Sequence, residues 1–132
     1  MSHEEKLSAL SQLIAFARAG SDMNTSEYNF LLAIAQQIGV DSNTFNTLLN
    51  TPHPFVNIKH ESQRIVQFHR LLLLMNIDQK ITAEELERIH QLGIKMGLNI
   101  LAVDKTLEVM KQYDNNNIPS EVLLNIFKTY YN

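Results

Sequence analysis

The strongest pattern in this sequence is a repeat, in which Glu85 lies 58 positions after Glu27 and Gly97 lies 58 positions after Gly39. The same ungapped shift places apolar residues on apolar residues, and the pairs include Leu7 with Ile65, Leu10 with Phe68, Ile14 with Leu72, Leu31 with Ile89, Ile34 with Leu92, Phe45 with Val103 and Leu49 with Leu107. A repeat of this length governs the architecture of a whole chain. We therefore predict two copies of one structural unit, at about residues 7–50 and 65–108.

Three helices are predicted in each copy, because apolar residues recur every three or four positions. The first helices carry the stripes Leu7, Leu10, Ile14, Ala17 and Ile65, Phe68, Leu72, Met75. The second helices carry Leu31, Ile34, Ala35, Ile38 and Ile89, Leu92, Gly93, Met96. The third helices carry Phe45, Leu48, Leu49 and Val103, Leu107, Met110. The small residues at one matched pair, Ala35 and Gly93, predict close contact between helices.

The second helix of each copy has recognisable ends. Asn24 stands three residues before Glu27, and Thr82 stands three residues before Glu85. This is the capping-box spacing, in which the cap side chain and the glutamate each bind the other's backbone N–H. A glycine follows each second helix and supplies the left-handed residue that commonly ends one.

Prolines separate the two copies. Pro52 and Pro54 cannot continue a helix, because proline lacks an N–H and disfavours helical geometry in the residue before it. After Pro119, an apolar stripe at helical spacing predicts a closing helix at about residues 119–131, and its residues are Val122, Leu123, Ile126 and Tyr130. We therefore predict an all-α fold, a compact bundle of about seven helices in a single domain, 1–132, built from two three-helix pseudo-repeats and a C-terminal closing helix.

Composition and charge exclude several classes of protein. Fourteen acidic and eleven basic residues give a net charge of −3, which is unfavourable for binding the phosphates of nucleic acid. The absence of cysteine excludes disulfides and thiolate metal sites. The first residues are acidic where a signal peptide is basic, and the longest apolar run, 71–75, is too short for a membrane span. We expect a cytoplasmic protein that neither binds nucleic acid nor crosses a membrane.

Residues 76–85 resemble the second half of a calcium-binding EF-hand loop, with Glu85 at its last position. The resemblance fails at two essential positions, because Leu74 stands where the first carboxylate belongs and Gln79 stands where the sharp turn needs glycine. The segment 114–117 also lacks a bidentate acid at the required distance, and its composition predicts a turn.

A different family fits this segment better. The pattern is an acidic loop residue, an apolar residue three positions later and a glutamate seven positions later. A helix follows and ends at a glycine that is followed by an apolar residue. This pattern is carried by Asp78, Ile81, Glu84, Glu85, Gly97 and Leu98. The pattern resembles the TerB-like tellurite-resistance family over roughly residues 7 to 110. The resemblance implies an all-helical, internally duplicated fold with acidic loops that bind divalent cations in some members. The chain departs from it at Gln79, where the family has glycine, and at Gly20, where the first copy lacks the aspartate.

This resemblance makes the acidic loops a candidate site for a divalent cation such as calcium or magnesium, which prefers oxygen ligands. The candidate ligands are Asp78, Glu85, Asp22 and Glu27. The alternative is purely structural, because the two glutamates are already explained as capping residues. Since Gly20 matches Asp78, the second loop should carry most of any cation affinity.

No motif supports an enzyme. His60 and Glu61 begin like a zinc-protease helix, but Arg64 replaces the second histidine. Neither a nucleophile elbow nor a phosphate-binding glycine loop occurs. We expect a non-enzymatic TerB-like module that acts through contacts with a protein partner or as a stress-associated accessory factor, and the alternative is a cation-binding or sensing domain. Several aromatic residues form either a contact patch or part of the core, namely Tyr28, Phe30, Tyr130 and Tyr131.

Overall fold

The computed structural model describes residues 1–78 and 80–130. These residues form seven α-helices and two short 3₁₀ helices, joined by loops. The α-helices are α1 (His3–Arg18), α2 (Thr25–Gln37), α3 (Ser42–Asn50), α4 (Glu61–Met75), α5 (Ala83–Lys95), α6 (Ile100–Val109) and α7 (Ser120–Thr129). The 3₁₀ helices are Met110–Gln112 and Asp114–Asn116. No β-strand occurs among these residues, so the predicted all-α fold is confirmed.

The helix boundaries repeat with the predicted offset. Helices α4, α5 and α6 each begin 58 residues after α1, α2 and α3, and each ends within one residue of the same shift. Leu31 and Ile89, which this shift pairs, are both fully buried. The two copies are therefore built from the same three helices in the same order.

The predicted ends of the second helices are confirmed. Asn24 and Thr82 each form a capping box in which both reciprocal hydrogen bonds are present. Gly39 and Gly97 follow α2 and α5 with φ angles of 82° and 75°. Glycine adopts this left-handed conformation without the steric cost that other residues meet, which explains the residue type at both helix ends.

The first unit, Met1–Lys59, has its core among α1, α2 and α3, which all contact one another. Helix α1 is buried over most of its circumference, because Leu13 and Phe16 are buried in addition to most of the predicted stripe. Phe45 packs edge-on against Tyr28, with the ring centroids 5.7 Å apart. Tyr28 therefore completes the core of this unit.

The second unit begins at His60 and contains α4 to α7. Helices α4 and α6 each contact both α5 and α7. Phe68 of α4 packs edge-on against Phe127 of α7, with the ring centroids 6.2 Å apart. Phe127 was not part of the predicted stripe of the closing helix, yet it is almost completely buried. The single domain 1–132 stays a prediction.

The predicted close contact at Gly93 is present within the second unit. A Cβ atom on Gly93 would lie 2.9 Å from Cγ2 of Val103 and 3.4 Å from Cε1 of Phe68. The first distance is shorter than real Cβ contacts, so α5 can lie this close to α6 only because residue 93 has no side chain.

The predicted closing helix is present as α7, with somewhat narrower bounds than the predicted 119–131. Leu123 and Phe127 are its buried residues. Tyr131 and Asn132, the last residues of the predicted aromatic tail, lie outside the described residues. Gln79, the position where the TerB-like pattern has glycine, lies outside them as well.

Candidate functional site

The first-copy residues of the predicted cation site lie at the start of α2. Asp22 is exposed in the loop after α1. Oε1 of Glu27 accepts the N–H of Asn24 at 3.0 Å, and Oδ1 of Asn24 accepts the N–H of Glu27 at 2.8 Å. The carboxylate of Glu27 is therefore engaged in capping its own helix.

The second copy has the same arrangement at the start of α5. Oε1 of Glu85 accepts the N–H of Thr82 at 3.1 Å, and the Thr82 hydroxyl accepts the N–H of Glu85 at 3.1 Å. Asp78 is exposed in the preceding loop, where its Oδ1 accepts the N–H of Lys80 at 3.2 Å. Aspartate side chains commonly accept the backbone N–H two residues ahead in this way.

Among residues 1–78 and 80–130, no three histidine, aspartate or glutamate side chains are grouped so that they can hold a metal ion. The hydrogen bonds of Glu27 and Glu85 show that both carboxylates cap the starts of their helices. A divalent cation in the acidic loops stays a prediction.

A feature that the sequence analysis missed is the non-helical strap, residues 51–59, which lies along α1 in the first unit. Three polar side chains of α1 accept strap N–H groups in register. Ser11 accepts from His53 at 2.9 Å, Ser8 accepts from Val56 at 2.7 Å, and Glu5 accepts from Lys59 at 2.7 Å. The Ser8 hydroxyl also donates to the Val56 carbonyl, at 3.2 Å. These bonds satisfy backbone groups that have no helix or sheet partner. The signal in the sequence is the three-residue spacing of Glu5, Ser8 and Ser11 along α1.

Two carboxylates of α1, those of Glu4 and Glu5, also hold the strap. Nε2 of His53 lies 2.6 Å from Oε2 of Glu4, and its Nδ1 lies 2.8 Å from the carbonyl oxygen of Pro54. The backbone N–H groups of Ser2 and Lys59 lower the pKa of the Glu5 carboxyl below its ordinary value of 4.5, because both bind the charged form. Glu5 is consequently a buried carboxylate with its hydrogen bonds supplied by the backbone.

The corresponding segment of the second unit takes a different course. The positions that match Pro52 and Pro54 are Met110 and Gln112, and there the chain continues α6 as a 3₁₀ helix. Two asparagines with positive φ, Asn115 and Asn116, then turn the chain. Proline is thus replaced by residues that permit helical geometry, so no strap forms along the first half of α4.

The second connecting segment is instead fixed near the middle and end of α4. Nε2 of His69 lies 2.9 Å from the carbonyl oxygen of Ile118, and the side-chain amide of Asn76 donates to the Asn116 carbonyl at 2.8 Å. Val66 of α4 matches Ser8 of α1, which binds the strap. Val66 is 45% exposed, whereas Ser8 is 3% exposed. The face of α4 that would carry a strap is therefore open at Val66.

A groove of about 530 Å³ lies between α4 and α7. It includes Ser62, which matches Glu4, but not Val66. Ile65 and Phe127 are buried beneath it, and Leu124 is 43% exposed beside them. Its polar lining comprises Glu61, Ser62, Glu121, Asn125 and Lys128. The charged side chains of the groove are thus two carboxylates and one ammonium group, around an apolar base.

A second exposed surface is the apolar corner, which we define as Ile94, Ile100 and Leu101 around the turn from α5 to α6. These side chains are between 41% and 59% exposed. The matched positions in the first copy are polar, namely Gln36, Ser42 and Asn43. The repeated fold therefore does not require the apolar corner, because the first copy forms the same helices with polar residues there.

Comparison with known proteins adds no functional assignment, because no family model, no curated protein and no solved structure matches the chain. Within the described part of the chain, no helix has both the length and the apolar character required to cross a bilayer.

Proposed function

We propose that this chain is a non-enzymatic helical module that binds another protein through the apolar corner. The observation that carries the proposal is the difference between the two copies at the matched corner positions, polar in the first and exposed and apolar in the second. Large apolar side chains that are grouped on a surface are typical of sites that contact other molecules.

The stability of the fold does not account for the apolar residues of the corner. Ile100 and Leu101 are the first two residues of α6, and in α3 the same two positions are Ser42 and Asn43. Both serine and asparagine suit a helix start at least as well as isoleucine and leucine do, because they can hydrogen-bond to free backbone groups. Burial in a complex would remove the exposed apolar surface from water, and this favours binding.

The chemistry of the corner favours a protein partner over nucleic acid. The chain has a net charge of −3, and the exposed side chains of the corner are aliphatic. Three side chains cover much less than the roughly 800 Å² that each partner contributes to a stable interface. We therefore expect reversible binding to an apolar surface of the partner protein. The internally duplicated helices support a TerB-like module of this kind, acting as an accessory factor.

The test begins by identifying the partner. A photoreactive phenylalanine derivative is incorporated in place of Leu101, and the protein that crosslinks to it in cells is identified by mass spectrometry. The dissociation constant of the purified pair is then measured for the wild type and for the triple variant Ile94→Gln, Ile100→Ser and Leu101→Asn, which installs the first-copy residues.

We expect the triple variant to keep its helix content and its unfolding transition, and to bind at least about tenfold more weakly, since a few apolar anchors carry most of the energy of an interface. The matched control is Leu124→Asn, which removes an exposed leucine outside the corner. Equal affinity of the wild type and the triple variant would disprove the proposal. Crosslinking only to a second copy of the chain would reassign the corner to self-association.

A further inference from the structure

We infer that the groove between α4 and α7 binds a non-helical peptide segment of a partner protein, with apolar residues and a neighbouring basic residue. The groove and the apolar corner share no residue. Either proposal can therefore fail without the other.

The first unit itself contains a segment of this kind, bound to the helix that matches α4. The strap includes Phe55, Val56 and Ile58, and it carries His53 and Lys59 near its ends. Its backbone N–H groups bind Glu5, Ser8 and Ser11 of α1, and its histidine, His53, binds Glu4. A helix of this repeat can therefore hold a non-helical apolar segment along its first half.

In the second unit, the positions that match the strap contacts Glu4 and Ser8 are exposed. Ser62 matches Glu4 and lines the groove, and Val66 matches Ser8 and is largely exposed. The second connecting segment occupies His69, which matches the strap contact Ser11, and Asn76 beyond it, so it leaves Ser62 and Val66 exposed. Ile65 and Phe127 supply an apolar base against which the side chains of a peptide can be buried.

The charges of the groove favour a basic residue in the bound peptide. Glu61 and Glu121 are exposed carboxylates of the lining, and Lys128 is its one described cation. A peptide that carries lysine, arginine or protonated histidine complements this net negative rim, whereas an acidic peptide is repelled. The volume of about 530 Å³ accommodates a few side chains, which fits a short segment rather than a folded domain.

The probe is a synthetic peptide with the sequence of residues 51–59, TPHPFVNIK, added to the ¹⁵N-labelled full chain. We expect saturable amide shift changes at Ser62, Val66 and Leu124, with a dissociation constant of about 0.1–1 mM, as is typical of a small interface. A peptide with glutamate in place of both basic residues should bind at least about fivefold more weakly, because it meets two carboxylates.

Two exposed substitutions test the groove from the protein side. Leu124→Glu should weaken binding by about tenfold through the apolar base, and Glu121→Lys should weaken it by about threefold and reduce its sensitivity to salt. Asn46→Glu, which adds the same charge at an exposed site of α3 outside the groove and the corner, is the matched control and should have no effect. The inference is overturned if no saturable shifts occur at α4 and α7, if the shifts fall on α1 because the peptide replaces the strap, or if Leu124→Glu binds as well as the wild type.

Discussion

A single missing methyl group sets the distance between α5 and α6. Gly93 lies opposite Val103, whose Cγ2 atom would be 2.9 Å from a Cβ on residue 93. The matched residue of the first copy is Ala35, which is buried in α2. Glycine in a helix costs about 1 kcal/mol relative to alanine. Close packing is the gain that offsets this cost.

We predict that Gly93→Ala lowers the free energy of unfolding by about 1 kcal/mol, because overpacking of about 1–3 kcal/mol exceeds the gain in helix propensity. In the double variant Gly93→Ala/Val103→Ala, the second change removes the methyl groups that clash with the new Cβ atom on residue 93. The double variant should therefore lose less unfolding free energy than the sum of the losses of the two single variants. Urea denaturation of the two single variants and the double variant measures this coupling. Ala35→Gly is the control in the first copy and should be destabilising. A Gly93→Ala variant more stable than the wild type would show that α5 and α6 can separate without loss.

At the scale of the element, the strap shows how a segment without helix or sheet is fixed by one helix. Ser11, Ser8 and Glu5 supply acceptors to every third N–H of the strap. Ile58 adds a buried apolar anchor near its end. The prolines that keep this segment from being helical also lack N–H groups, which reduces the number of donors that need partners.

The Glu5 bond makes the strap sensitive to acid. Because the N–H groups of Ser2 and Lys59 lower the pKa of Glu5 in the folded state, its charged form stabilises the fold above the unfolded-state value of 4.5. This contribution is lost as the pH falls below 4.5 through the lowered folded-state pKa. We predict that Glu5→Gln is less stable than the wild type at pH 7 and that the difference shrinks from pH 5 downward.

Urea midpoints at pH 7, 5, 4 and 3 test this prediction. Asp41 also has a lowered pKa, because its carboxylate accepts the N–H of Thr44, and it contributes to the acid sensitivity of both proteins. The difference in stability between wild type and Glu5→Gln isolates the contribution of the Glu5 charge, which binds the strap at Lys59. Glu108→Gln, at an exposed site of α6, is the control. A difference between wild type and Glu5→Gln that stays constant from pH 7 to 3 would contradict the role of the Glu5 charge.

The elements were largely predictable from the sequence, whereas their contacts were not. Apolar spacing and the capping boxes at Asn24 and Thr82 place helix starts, because these signals are local. The prolines predict an interruption, but no local rule states that the segment binds Ser8. The groove beside Leu124 likewise depends on how α7 packs against α4, and this is a tertiary property.

At the scale of the whole molecule, the two copies share their helices and differ on their surfaces. The apolar corner, the strap and the groove are all differences between matched positions. Sequence analysis alone could not assign Ile94 or Leu101 to the surface, because an aliphatic residue in a helix reads as core until the packing is known. The repeat becomes informative about function when each copy serves as the reference for the other.

The matched glutamates allow the most direct test of what the duplication conserved. Glu27 and Glu85 have equivalent capping bonds, all between 2.8 and 3.1 Å. Capping alone predicts that Glu27→Gln and Glu85→Gln each cost a few tenths to about 1 kcal/mol of unfolding free energy, equally with calcium, with magnesium or with a chelator, because glutamine still accepts the bond.

A cation in the acidic loops predicts a different and asymmetric result. Glu85→Gln and Asp78→Asn would then lose stability mainly when the ion is present, and Asp22→Asn would lose less, because the matched position of Asp78 in the first copy is Gly20. Denaturation with and without each ion, beside calorimetric titration of the wild type, separates the two cases. Equal, ion-independent losses for the two glutamates would mean that duplication conserved a way of starting a helix, and that the chemistry of this chain lies on the surfaces where its copies differ.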